Sequence, residues 1–157
     1  MMSVIPISST APNRYLSGMA ALNIPSAKGT GDWHMIETFF SPHQQSSRLF
    51  ITGSGCQDDT TPFLADMGVY DCSAILNSYG IPHPDGSVYA ATHARAIADM
   101  VLVTILDGRF PNFIPLDDWM PRDIDKQAVF NLLETAAGRI DEAGRKRILT
   151  WIEANLT

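Results

Sequence analysis

No stretch of this chain stays apolar for the roughly 18 to 20 residues that a membrane-crossing helix needs. Its start, MMSVIPISSTAPNRY, has neither a basic head nor a continuous apolar run, so it does not read as a secretory signal and a cytoplasmic protein is expected. Cysteine is scarce: Cys56 and Cys72 stand alone, with no C-x-x-C pair. An intracellular chain keeps such thiols reduced, and both read as small buried hydrophobes. His34, His43, His83 and His93 form no H-x-x-x-H, H-E-x-x-H or Cys/His cluster, which argues against a metal, and no other motif calls for a cofactor.

The sparsest feature is positive charge. Between Arg48 and Arg95 there is no Lys or Arg, while Asp58, Asp59, Asp66, Asp71 and Asp85 accumulate. The chain carries 11 basic and 17 acidic residues, a net charge of −6. Residues 121–157 are balanced, so all the excess acid lies N-terminal to them. Such a surface repels a phosphate backbone, which argues against direct nucleic-acid binding and favours a basic protein partner or a cation.

At 157 residues with 45% apolar content, the chain fits one hydrophobic core. The expectation is a flexible arm over 1–13 and a single globular domain over 14–157. Helical patterns dominate. Asp32 is placed to cap a short helix from Trp33 to about Phe40, ended before Pro42. MGVYDCSAILNSYGI reads as a helix from about Tyr70 to Tyr79. In VYAATHARAIADMVLVTILDG an apolar stripe of Val88, Ala91, Ala94, Ala98, Val101 and Ile105 ends at Gly108. Two further helices are expected at about Ile124–Ala137 and Asp141–Leu156. Only SSRLFITGSG, residues 46–55, suggests a strand. The sequence therefore predicts a mainly α fold, with α+β as the alternative and at most a small β element near 48–53.

Candidate functional residues follow from spacing. Thr92, Arg95 and Asp99 recur at i, i+3, i+7 on one helix face. The plain reading is a surface ion pair; the functional one makes Arg95 an anion anchor beside His93, or the organiser of a polar interface. GSGC, residues 53–56, is a turn, because it lacks the spacing and the Lys of a phosphate loop, and Asp58 and Asp59 would oppose a Cys56 thiolate. Trp33, Trp119 and Trp151 read as core, with Trp119, behind Asp117 and Asp118, the best interface residue of the three.

The motifs YLSGMAALNIP, GDWH, MGVYDCSAILNSYGI, YAATHARAIADMVLVTILDGRFP and LDDWM, in that order, resemble a family of small bacterial proteins. Its members carry a leader like SGMxALNIP, then GDWH, then a helix with AxHxRAIAD. The likeness spans about residues 14–155, and Trp33, His34, His93, Arg95 and Asp99 match it. This chain's SAKGTGDWH departs from a cysteine-containing form of that lead-in, which speaks against a metal or thiol role. The resemblance implies membership of toxin–antitoxin-like or defence-associated gene pairs.

Two functions compete on these grounds. One is a non-enzymatic acidic binding protein that neutralises or regulates a protein partner such as a basic toxin, using Trp33, His34, Asp58, Asp59, Arg95 and Trp119. The other is a small hydrolase or transferase on a phosphorylated or ribosylated substrate. There His34 or His93 would be the acid/base, Asp32 or Asp99 its orienting partner and Arg95 the anion anchor, all in one pocket. A homo-oligomer built on the tryptophans is a third possibility.

Overall fold

A computed structural model describes residues 3–4, 9–26, 40–41, 51–83 and 85–156. Residues 33–39 of the helix expected at about 33–40, with Asp32, Trp33 and His34, lie outside the described residues, as do His43 and the first half of the strand expected at 46–55, while Phe40 lies in a short strand.

The described chain runs β1 (Ser3–Val4), β2 (Arg14–Leu16), α1 (Gly18–Leu22), β3 (Phe40–Ser41), β4 (Ile51–Gly53), α2 (Thr61–Leu64) and β5 (Val69–Asp71). It continues as α3 (Ser73–Ser78), β6 (Tyr89–Ala91), α4 (His93–Leu106), α5 (Leu116–Trp119), α6 (Asp123–Ala137) and α7 (Glu142–Ala154). β1 pairs antiparallel with β3, and the other strands form a four-stranded mixed sheet in the order β4-β2-β6-β5. β2 is antiparallel to β4 and parallel to β6, and β5 is antiparallel to β6. Thr10 joins this framework: the Tyr89 amide donates to its Oγ1 at 2.8 Å.

The expectation of a mainly helical fold is therefore corrected to α+β, with the sheet at the centre. The strands are three residues long, too short to display alternation, and Tyr89-Ala90-Ala91 has the composition of a helix. Burial decides the outcome. Successive strand residues face opposite sides of a sheet, so Tyr15 and Ala91 join one apolar cluster while Leu16 and Ala90 join another. The first cluster holds α4, α6 and α7 against one face; the second packs Cys72 and Leu76 against the other. The helix expected at Tyr70–Tyr79 accordingly begins as strand β5, and the helix expected from Val88 begins as strand β6.

α4 is the spine. Thr92 caps it, its hydroxyl accepting the Arg95 amide at 3.2 Å. Ten of its fourteen residues are buried, so it is enclosed on nearly every side rather than along one stripe. It ends where the amides of Gly108 and Arg109 return to the carbonyls of Ile105 and Thr104. α6 and α7 match their expected spans closely. Asp141 caps α7 by accepting the Gly144 amide at 2.8 Å. Trp151 is buried edge-on to Phe130 and donates to the Pro111 carbonyl at 3.0 Å.

Candidate functional site

Enclosing α4 brings its polar residues inside, which corrects the reading of Arg95 and Asp99 as a surface pair. Arg95 is 0% exposed and Asp99 3%. Arg95 Nε donates to Asp99 Oδ1 at 2.8 Å, and Nη2 donates to Thr60 Oγ1 at 3.1 Å and to the Ala65 carbonyl at 3.0 Å. Nη1 donates to the Met67 carbonyl. The guanidinium also lies 5.2 Å from the Tyr15 ring centroid, a cation–π distance.

Asp99 is equally committed. Oδ1 also accepts the Thr60 hydroxyl at 2.6 Å, and Oδ2 accepts the hydroxyls of Tyr15 at 2.7 Å and Ser17 at 2.8 Å. A buried carboxylate survives only when its oxygens are satisfied in this way. Burial, and then the Asp99 charge, push the Tyr15 phenol well above its usual range, so it stays a donor. Arg95 thus reaches no surface and anchors no external anion. It fastens the segment from Thr60 to Met67 to α4 and β2.

That segment is strained. Ala65 has φ 50° and ψ −133°, a region that residues with a Cβ rarely occupy. Gly68 has φ +73°, and a Cβ there would come within 2.9 Å of Arg95 Cβ and 3.2 Å of Thr92 Oγ1. Its carbonyl accepts the Thr92 amide at 2.7 Å. Together these contacts fix one wall of a cavity of about 530 Å³ between the start of α4, β5 and α6.

His93 lines this cavity with Met67, Tyr70, Met120 and Leu132, whereas Arg95 and Asp99 do not. Asp99 instead borders a smaller cavity of about 230 Å³ with Ser17, Asp58 and Phe113. His93 is buried and its Nε2 donates to the Ile24 carbonyl at 2.8 Å. The residues expected to converge on one catalytic pocket are divided, with His34 outside the described residues.

The other candidates have ordinary roles or exposed positions. Asp59 Oδ1 accepts the Thr61 amide at 2.9 Å and its hydroxyl at 2.6 Å, an Asx turn that leads into α2. Asp58 is exposed, and Trp119 is half-buried on the main core at the end of a short helix. GSGC is the expected turn, closed by the Cys56 amide on the Gly53 carbonyl at 2.9 Å. Cys56 and Cys72 are both free; burial, then the neighbouring Asp71 charge, push the Cys72 thiol up to about 12. Among the described residues, no group of acidic, His and Cys side chains could hold a metal, and no helix is long and apolar enough to cross a membrane.

Sequence reasoning missed Tyr15, Ser17 and Thr60 as partners of the ion pair. They lie far from Asp99 in the chain, and no spacing rule links them. Comparison with family models, with curated proteins and with solved structures gives no match.

Proposed function

We propose that this chain is a non-enzymatic acidic binding protein that neutralises or regulates a basic protein partner, as an antitoxin does. The observation that supports it most is where the charges sit. Arg95, the base that ends the cation-free segment, is buried and neutralised by Asp99, so it offers the surface nothing positive. Asp58, Asp66, Asp71 and Asp85 from the same segment are all exposed. Asp71 is held ionised well below its usual range, at about 2, by hydrogen bonds from the Ser73 amide and hydroxyl. A field of one sign speeds encounter with an oppositely charged partner and discourages wrong ones.

The division of His93, Arg95 and Asp99 between different contacts gives the hydrolase or transferase reading no support of its own. A cytoplasmic setting, with both thiols reduced, belongs to the same proposal.

The test is affinity capture from native cells at moderate salt, comparing wild type with the triple variant Asp58→Lys, Asp66→Lys, Asp85→Lys. A basic protein retained stoichiometrically by wild type and lost with the variant is expected. Co-expression of wild type should also protect cells against that protein. Capture that ignores the charge reversal, or an empty wild-type column, defeats the reading.

A further inference from the structure

We propose that the cavity of about 530 Å³ between the start of α4, the Met67–Gly68 turn and α6 binds an uncharged, largely apolar small molecule. This inference stands apart from the acidic surface. The volume lies within the roughly 300 to 1,000 Å³ typical of small-molecule sites. The walls carry Met67, Tyr70, Ala94, Met120, Ala128 and Leu132, and methionine side chains adapt to varied apolar shapes.

The site is built in advance. The Met67 carbonyl is held by Arg95, the Gly68 carbonyl by the Thr92 amide, and Gly68 packs too closely on α4 for any larger residue. That wall cannot collapse onto α6 without breaking the buried ion-pair network. A preformed concavity of this kind loses little ordering entropy when a ligand enters.

Charge decides the ligand class. Besides the Tyr70 phenol, the ionisable groups among the described lining residues are His93 and Asp125. His93 Nε2 donates to the Ile24 carbonyl, and Asp125 Oδ2 accepts Arg122 Nε at 2.7 Å. A charged ligand would surrender hydration without gaining a dedicated counter-charge. A neutral one gives up little and gains apolar contact. Tyr70, among the lining residues, carries a phenol that is protonated at neutral pH and is a donor for a carbonyl or ether oxygen.

The test is fluorescence titration of the full chain with N-phenylnaphthylamine, a neutral dye, and with its anionic relative anilinonaphthalene sulfonate. Saturable one-to-one binding of the neutral dye is expected, with the anionic dye weaker by about tenfold or more. Ala128 and Asn131 sit on exposed turns of α6 at the cavity wall, so Ala128→Phe and Asn131→Phe fill the space without entering the core. Each should weaken the neutral dye by about tenfold or more while the thermal unfolding curve stays close to wild type. Absence of saturable binding to wild type, equal binding of the two dyes, or undiminished binding to both folded fillers overturns the proposal.

Discussion

Arg95 and Asp99 face each other one turn apart on α4, 2.8 Å from nitrogen to oxygen, with their side chains 0% and 4% exposed. Removing one member of such a pair strands the other in a medium that cannot solvate it. Arg95→Met should therefore cost about 3–5 kcal/mol in urea unfolding. Replacing both, as Arg95→Met with Asp99→Leu, should cost less than the sum of the single changes. A single Arg95→Met change that moved stability by less than about 1 kcal/mol would falsify the ion pair as a clamp on the Thr60–Met67 segment.

Two neighbouring backbone positions should respond in opposite directions. Ala65 sits at φ 50°, so Ala65→Gly is expected to raise stability by about 1 kcal/mol as the strain is relieved. Gly68→Ala adds a Cβ 2.9 Å from Arg95 Cβ in a backbone region hostile to it. It should destabilise by about 2 kcal/mol or more. Paired thermal melts of these variants decide the matter, and a stabilised Gly68→Ala protein would contradict the close packing.

The alkaline limb is set by groups whose burial raises their pKa. Cys72 rises from 9.0 to about 12, and Tyr15 and Tyr70 are also raised from 10.0. A raised folded-state value means stability that is complete below the unfolded pKa and lost as pH climbs through the folded one. Unfolding free energy should be flat up to about pH 8.5 and decline between about pH 9 and 12. Stability unchanged across that interval would show that these groups titrate as freely as in the unfolded chain.

Thiol reagents test the same burial by another route. Cys56 is partly exposed and Cys72 is 0% exposed. One equivalent should react with the native protein and the second only after denaturant is added.

The acid limb belongs in part to Asp71, whose pKa falls from 3.8 to about 2. A depressed value contributes stability above the unfolded pKa that disappears as pH falls through the folded one, here between about pH 4 and 2. Asp71→Asn should flatten that part of the profile, and a carboxyl titration followed by NMR should place its midpoint below that of an exposed aspartate. A midpoint near the ordinary aspartate value would remove the hydrogen bonds from Ser73 as its cause.

The parts of the fold legible in the sequence were those with long periods. α6 and α7 carry stripes such as Val129, Leu132, Leu133 and Ala136, and the Gly108 stop and the Gly53–Cys56 turn follow from local chemistry. Short strands gave no comparable signal: Tyr89–Ala91 is a strand only because β2 and Val69–Asp71 lie on either side where they can pair with it. The charge pattern exposed the acidic segment correctly, but it could not show that Arg95 turns inward. A charged residue at a helical position reads as surface unless its partners are known, and here those partners are Tyr15, Thr60 and two loop carbonyls. The large cavity was equally hidden, since its walls come from β5, α4 and α6 and meet only after folding.

The parallel pairing of Leu16 with Ala90 has a consequence for how the chain is made. A ribosome releases β2 early, yet its parallel neighbour emerges only about 70 residues later, and α4, which covers Tyr15, comes after that. Until then β2, whose Tyr15 and Leu16 are fully buried in the finished fold, has an open edge and no roof. Translation pauses, truncations or frameshifts before Leu106 should therefore yield sticky, protease-sensitive products, while damage beyond α7 is better tolerated. The hazard lasts until α6 and α7, which complete the main core, have also been made.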